Sequence, residues 1–273
     1  MNIFEMLEKR DVDPTDEFRR LVALFHAQWR TLYGQNSLKK VIDGVFHKVP
    51  IQLRQTFLSV EDLLKSLDIS EETPYGRDWY ELFLYSELLM NLIHYTKVCF
   101  DKDESAKETA QQIISNINVI LEKTNHAWAK IKEGYVIVDK NPATTEAIEC
   151  LEEKNADLAL NMIEYNRVLL KGNLQRKREI LVALADYIEP MNNIFKGTRY
   201  EALYSDSKFL VNAIDIRHNN SGKGDLPEKA KLWTPQEKED WYDKTYQVLL
   251  TVILTRKHMD VSKEIQDLKP HRN

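Results

Sequence analysis

Six consecutive residues, Asp215-Ile216-Arg217-His218-Asn219-Asn220, combine a permanent cation, a group that titrates near neutrality and two amides, and a Ser221-Gly222-Lys223-Gly224 loop follows them. Such a set suits phosphate chemistry. A planar guanidinium braces a phosphoryl oxygen, an imidazole carries a proton and an amide orients a hydroxyl. The same residues also suit a helix C-terminus, where Arg and His meet the negative dipole end and Asn tolerates a left-handed cap. Inside a continuous helix, Arg217 and His218 would diverge by about 100°. A helix that ends at His218 lets Arg217, His218, Asn219 and Asn220 converge. Lys223 could add a second cation, and a symmetric dimer would bring two copies of the set together.

Elements that could carry this segment are read from capping residues and apolar spacing. Asp13-Pro14 starts a helix with Phe18, Leu21, Val22, Phe25 and Trp29 as its core stripe. Ser37 and Ser59 open two shorter helices. Residues 77–98, apolar almost all round, are expected to form a buried central helix in which Trp79, Tyr80, Phe83 and Tyr85 belong to the core. Another helix is expected over 104–123. The one β signal lies between Ala127 and Lys140, where Glu133-Gly134 separates the two arms of a hairpin. Asn141-Pro142 marks the expected boundary between an N-terminal domain over 1–140 and a C-terminal domain over 141–273. Beyond it, helices are predicted over 144–170, 174–188 and 207–218, with a short helical piece over 199–204. In the helix over 207–218, Leu210, Val211, Ile214 and Phe209 are candidates to face the core. Thr234-Pro235-Gln236-Glu237 starts the closing helix, whose tail is expected to fray after Met259.

Composition bounds the function classes. The 273 residues are 43% hydrophobic and 30% charged, with eight Gly and eight Pro, which favours a mainly α fold. A net charge of −5 argues against general attraction to nucleic acid or anionic membrane, while leaving room for a local basic pocket. Cys99 and Cys150 belong to no CxxC and to no cluster with zinc-ligand spacing, so no metal or other cofactor is expected, and two buried, reduced thiols are preferred to a disulfide. The first ten residues lack the apolar run of a signal peptide, and Glu81, Glu87, His94 and Lys97 interrupt the most hydrophobic stretch. A cytoplasmic protein without a membrane span is therefore expected.

The remaining clusters have bland and functional readings side by side. Lys171, Arg176, Lys177 and Arg178 sit at a predicted helix–helix turn, either as a phosphate-tracking patch or as an ordinary solvated surface. Glu146, Glu149, Glu152 and Glu153 read as a solvated helix face. His26, His47, His94 and His126 read as packed or surface histidines. Gly222-Lys223-Gly224 lacks the strand and spacing of a nucleotide-binding loop.

From about Asn141 onward the chain resembles the HEPN superfamily, specifically the C-terminal module of AbiJ-like bacterial abortive-infection proteins. The matching pieces are Ile180-Leu181-Val182-Ala183-Leu184-Ala185 through Glu189-Pro190, Asp206 through Leu210-Val211-Asn212, and Asp215 to Asn220, with the aromatic-rich helix around Trp241 to Leu254. The N-terminal half, around Glu87 to Ile93, looks like the helical leader domain of such proteins. The resemblance implies a HEPN-like four-helix bundle that dimerises and, in many members, acts as a metal-independent endoribonuclease. Carried over, Arg217 is the electrostatic clamp, His218 the acid/base, and Asn219 or Asn220 the polar positioner. RNA is then the expected substrate, with Lys223, Arg176, Lys177 and Arg178 as candidate RNA contacts and a homodimer formed through the C-terminal bundle. This motif departs from the family's usual spacing, in which His follows Arg by four to six residues; here the two are adjacent. A non-catalytic dimerisation or RNA- or protein-binding module is the alternative expectation.

Overall fold

The computed structural model describes residues 3, 10–32, 34–72, 77–100, 103–151, 155–217 and 230–269. The fold is mainly α with two small antiparallel hairpins, and the chain divides into two compact units, Met1–Lys140 and Asn141–Asn273. No described helix is long and apolar enough to cross a membrane.

In the first unit, α1 (Pro14–His26) is capped by the Asp13 carboxylate on the Asp16 amide and buries Phe18, Leu21 and Phe25. Ser37 and Ser59 cap α2 (Leu38–Gly44) and α4 (Val60–Ser66) in the same way, on either side of the single-turn α3 (Ile51–Arg54). The central helix α5 (Trp79–Thr96) opens with a capping box between Asp78 and Glu81. It packs with α1 and with α6 (Glu104–Lys123). Phe83 and Tyr85 are buried in it, but Trp79 and Tyr80 are exposed, because they occupy the first turn before the helix enters the core.

Trp29 does not extend the α1 stripe. The helix ends at His26, and Gln28–Thr31 (β1) pairs with Gly34–Ser37 (β2) in a hairpin that the sequence did not announce. Neither strand alternates apolar and polar residues, and Gly34, at φ +122°, is its one local turn signal.

The expected hairpin forms from His126–Ile131 (β3) and Gly134–Asp139 (β4). Three α5 side chains dock it, among them Tyr95, whose hydroxyl donates to the Glu133 carbonyl in the turn at 2.7 Å. The Asn91 amide donates to the Tyr135 carbonyl and its oxygen accepts from the Tyr135 amide, both at 2.8 Å, while Glu87 accepts from the Ile137 amide at 2.7 Å. Gly134, at φ +135°, lies so close that a Cβ would stand 2.1 Å from Asn91 Oδ1. Asn91 is buried and bonded at both ends, so it cannot give way. Gly134→Ala is expected to destabilise the first unit by about 1–3 kcal/mol, read as a lower thermal midpoint with early loss of the Trp128 and Tyr135 near-ultraviolet signal. An unchanged midpoint would show that the hairpin docks less tightly than this geometry requires.

The second unit packs α7 (Pro142–Glu149), α8 (Ala156–Tyr165), α9 (Leu174–Ile188), α11 (Glu201–Ala213) and α12 (Pro235–Leu268) around one core, with the single-turn α10 (Asn192–Phe195) before α11. Three expectations are corrected. The helix over 144–170 is interrupted. After α7 the Cys150 and Leu151 amides tighten onto carbonyls three residues back, and beyond α8 the Asn166 side chain takes the Met162 carbonyl at 2.8 Å. The two pieces over 199–204 and 207–218 are one helix, α11, which stops at Ala213. The tail beyond Met259 stays helical to Leu268. An Arg256–Asp260 ion pair supports it one turn apart, and Pro270 disfavours helical geometry at Lys269. Cys99 and Cys150 are free thiols, half-buried rather than buried.

Candidate functional site

Arg217 lies just beyond α11, on a turn built by its neighbours. Asp215 takes the left-handed conformation at φ +65°, where an Asp is better tolerated than most side chains. That reversal lets the Arg217 amide return to the Val211 carbonyl at 3.1 Å, satisfying one of the open carbonyls at the helix end. Ile216 is fully buried between the two polar residues and anchors the turn in the core. Asp215 is held from two sides. Its carboxylate accepts from Lys238 at 2.8 Å, and its carbonyl accepts from Arg178 Nε at 2.9 Å and from the Tyr242 hydroxyl at 3.3 Å. Burial alone would depress the Lys238 ammonium, but the Asp215 carboxylate overrides it and raises the pKa.

The Arg217 guanidinium reaches back to the C-terminal end of α9. Its Nη2 donates to Asp186 Oδ1 at 2.5 Å and to Glu189 Oε2 at 2.7 Å. Asp186 and Glu189 stand three residues apart and so share one helix face. The hydrogen bond it donates to Glu189, then that to Asp186, raises the guanidinium pKa against a burial effect of opposite sign, and Arg217 in turn holds the Glu189 carboxyl below its ordinary range. Both contacts use a single nitrogen. Among the described residues Nε and Nη1 have no partner, and the side chain is 21% exposed.

Beside this cluster a shallow groove runs along α11, with Tyr204, Lys208 and Asn212 in its wall together with Arg217. Tyr204 is buried against Phe195, the rings stacked with centroids 5.3 Å apart, and its hydroxyl donates to the Glu189 carbonyl at 3.0 Å. The carboxylates, the tyrosine and the lysine are neighbours of Arg217 that the motif alone did not disclose. The Asp186–Glu189 spacing at the end of a helix was the one visible signal for them.

His218, Asn219, Asn220 and Lys223 lie outside the described residues. Arg176, Lys177 and Arg178 are described, and each is bonded to another part of the unit. Arg176 forks onto both Glu164 oxygens at 2.8 and 2.7 Å and also reaches Asn161 and Glu179. Lys177 is buried, bonded to Asp243 at 2.7 Å and Glu239 at 2.8 Å, with its ammonium 5.2 Å from the centre of the Tyr165 ring. Arg178 is taken up by the Asp215 carbonyl. The triplet therefore ties α9 to α8, to α12 and to the turn that carries Arg217. Its members point in three directions because adjacent helical residues are separated by about 100°.

Among the described residues no group of three His, Cys, Asp or Glu side chains is placed to hold a metal ion. No family model, no curated protein and no solved structure matches the chain.

Proposed function

We propose that the C-terminal unit is a HEPN-type, abortive-infection endoribonuclease that cleaves RNA without a metal ion and acts in the cytoplasm as a homodimer. The observation that carries this reading is the Arg217 guanidinium, held through one nitrogen while, among the described residues, nothing takes up Nε and Nη1. In the reaction the ribose 2′-oxygen attacks the adjacent phosphorus and the bond to the 5′-oxygen breaks. The products are a 2′,3′-cyclic phosphate and a 5′-hydroxyl. Arg217 stabilises the extra negative charge that develops on the phosphate oxygens. Proton transfer falls to His218. Glu189 suits it poorly, since Arg217 holds it as an anion more acidic than an ordinary glutamate. Asn219 or Asn220 positions the ribose. For the homodimer, the apolar side chains of Val261, Ile265 and Leu268, exposed on the outer part of α12, offer surface for a second copy.

A second reading has its own observation. Two carboxylates on Nη2, with the Arg217 amide folded onto Val211, also describe a strut that holds a helix end in a non-catalytic dimerisation or binding module. Cleavage of a mixed RNA pool in excess chelator separates the two. The catalytic reading expects wild type to cleave, and His218→Ala to lose cleavage while keeping its thermal midpoint and its sedimentation as a dimer. No cleavage by folded wild type, or loss of the dimer in step with activity, would leave the strut.

A further inference from the structure

We infer that the groove between α10 and α11 is a binding site for one unpaired RNA nucleotide, with Phe209 as the stacking platform for its base and Lys196 and Lys208 as contacts for its phosphates. This rests on the endoribonuclease reading and names the form of RNA that the unit takes.

Phe209 was a candidate core residue by its spacing, yet it is 61% exposed. It belongs to the opposite face of α11, where Ser205, Lys208, Phe209 and Asn212 recur at helical spacing and line a cleft of about 480 Å³. The floor of that cleft is the stacked Phe195–Tyr204 pair, which is buried and fixes the depth. Lys196 faces it from the end of α10 and Lys208 from α11. Both are exposed, and among the described residues neither ammonium is in a salt bridge. The one carboxylate in the lining, Glu201, is occupied by the Gly197 amide at 2.9 Å.

The chemistry of this surface is selective. An exposed phenylalanine ring beside two exposed lysines and a side-chain amide matches an unstacked base with its flanking phosphates. Duplex RNA does not fit, because its bases are stacked on one another and present no face to Phe209. The position is also informative. Tyr204, Lys208 and Asn212 line both this cleft and the smaller groove at Arg217, so a strand held here passes directly to the guanidinium.

The test is the affinity of the full chain for a short labelled single-stranded 2′-O-methyl RNA, which cannot be cleaved and so reports binding apart from catalysis. Phe209→Ala is expected to weaken binding by about tenfold or more, and Phe209→Trp to restore it. The pair Lys196→Gln and Lys208→Gln should flatten the salt dependence of log affinity by about 1.4, or about 0.7 for each phosphate no longer neutralised. Because Phe209 is exposed, its alanine variant should keep the wild-type thermal midpoint. Equal binding by wild type and Phe209→Ala, or equal binding of a duplex by wild type, would overturn the site. So would no RNA binding by wild type, which is the outcome expected if the cleft receives a peptide. Cleavage by wild type together with unchanged affinity in Phe209→Ala would retain the endoribonuclease and remove only this cleft.

Discussion

Lys177→Met is expected to destabilise the C-terminal unit by about 3–5 kcal/mol, the cost of leaving a buried charge without its partner. The stranded group is Glu239, whose side chain is 5% exposed and whose remaining partner is the Gly172 amide at 2.8 Å. Asp243, the other carboxylate on Lys177, is about half exposed and recovers solvation from water. Methionine keeps the aliphatic length against Tyr165, so packing contributes little to the change. Adding Glu239→Gln should return much of the stability, since the cost comes from an unpaired charge rather than from poorer packing.

The same pair sets a pH dependence. Burial raises the Glu239 carboxyl, but Lys177 and the Gly172 amide more than offset it, and the folded pKa lies below the ordinary value of 4.5. A depressed carboxyl contributes stability that is complete above the unfolded value and is lost as the pH falls below it. In Lys177→Met burial, the Gly172 amide and the weaker pull of the Lys171 charge remain, so the carboxyl titrates higher than in wild type and the gap between the two proteins should narrow as the pH falls below about 4.5. Urea unfolding of the two proteins at pH 7 and pH 4, followed by amide exchange within residues 235–253, measures both effects. A gap that is small at pH 7, or that widens on acidification, would remove the buried pair as a source of stability.

Arg217→Ala is expected to slow RNA cleavage by about 10²- to 10³-fold, the range for removing one preorganised donor from a developing oxyanion. Its effect on stability should be small. The partner carboxylates, Asp186 and Glu189, are 62% and 63% exposed, and solvent screens ion pairs of that kind so that they add little to stability. Arg217→Lys keeps the charge and loses the fork, so it should recover only part of the rate. Rates in excess chelator and thermal midpoints on the same samples separate the roles. A large fall in midpoint with a proportional fall in rate identifies a strut, and an unchanged rate excludes Arg217 from the chemistry.

What the sequence disclosed divides along physical lines. Helix starts were legible wherever a cap is local, as at Asp13, Ser37, Ser59 and Thr234, because the capping oxygen and the amide it serves are three residues apart. Interruptions without Gly or Pro were not. The break after α7 and the turn at Asn166 occur in sequence that would also support a continuous helix. The β1–β2 hairpin was hidden because its strands carry no apolar alternation. At the candidate site only Arg217 was visible among the residues described. Its carboxylates lie 31 and 28 residues earlier, on a helix that reaches it only through tertiary packing. The partners of the basic triplet were hidden for a related reason, since clustering along the chain says nothing of carboxylates brought up from α8 and α12. Phe209 was placed inward because apolar spacing on α11 fits two faces, and Val211 and Ile214 fill the inner one.

The docking of the β3–β4 hairpin has a consequence for aggregation. A two-stranded sheet has a free edge on each strand, and an unpaired edge is a template for strand addition by another chain. On β4 that edge is taken by a helix. Asn91 occupies the Tyr135 amide and carbonyl and Glu87 occupies the Ile137 amide, so α5 stands where a third strand would pair. The hairpin thus gains its third partner within its own unit, and along this edge those polar groups are closed to a foreign strand.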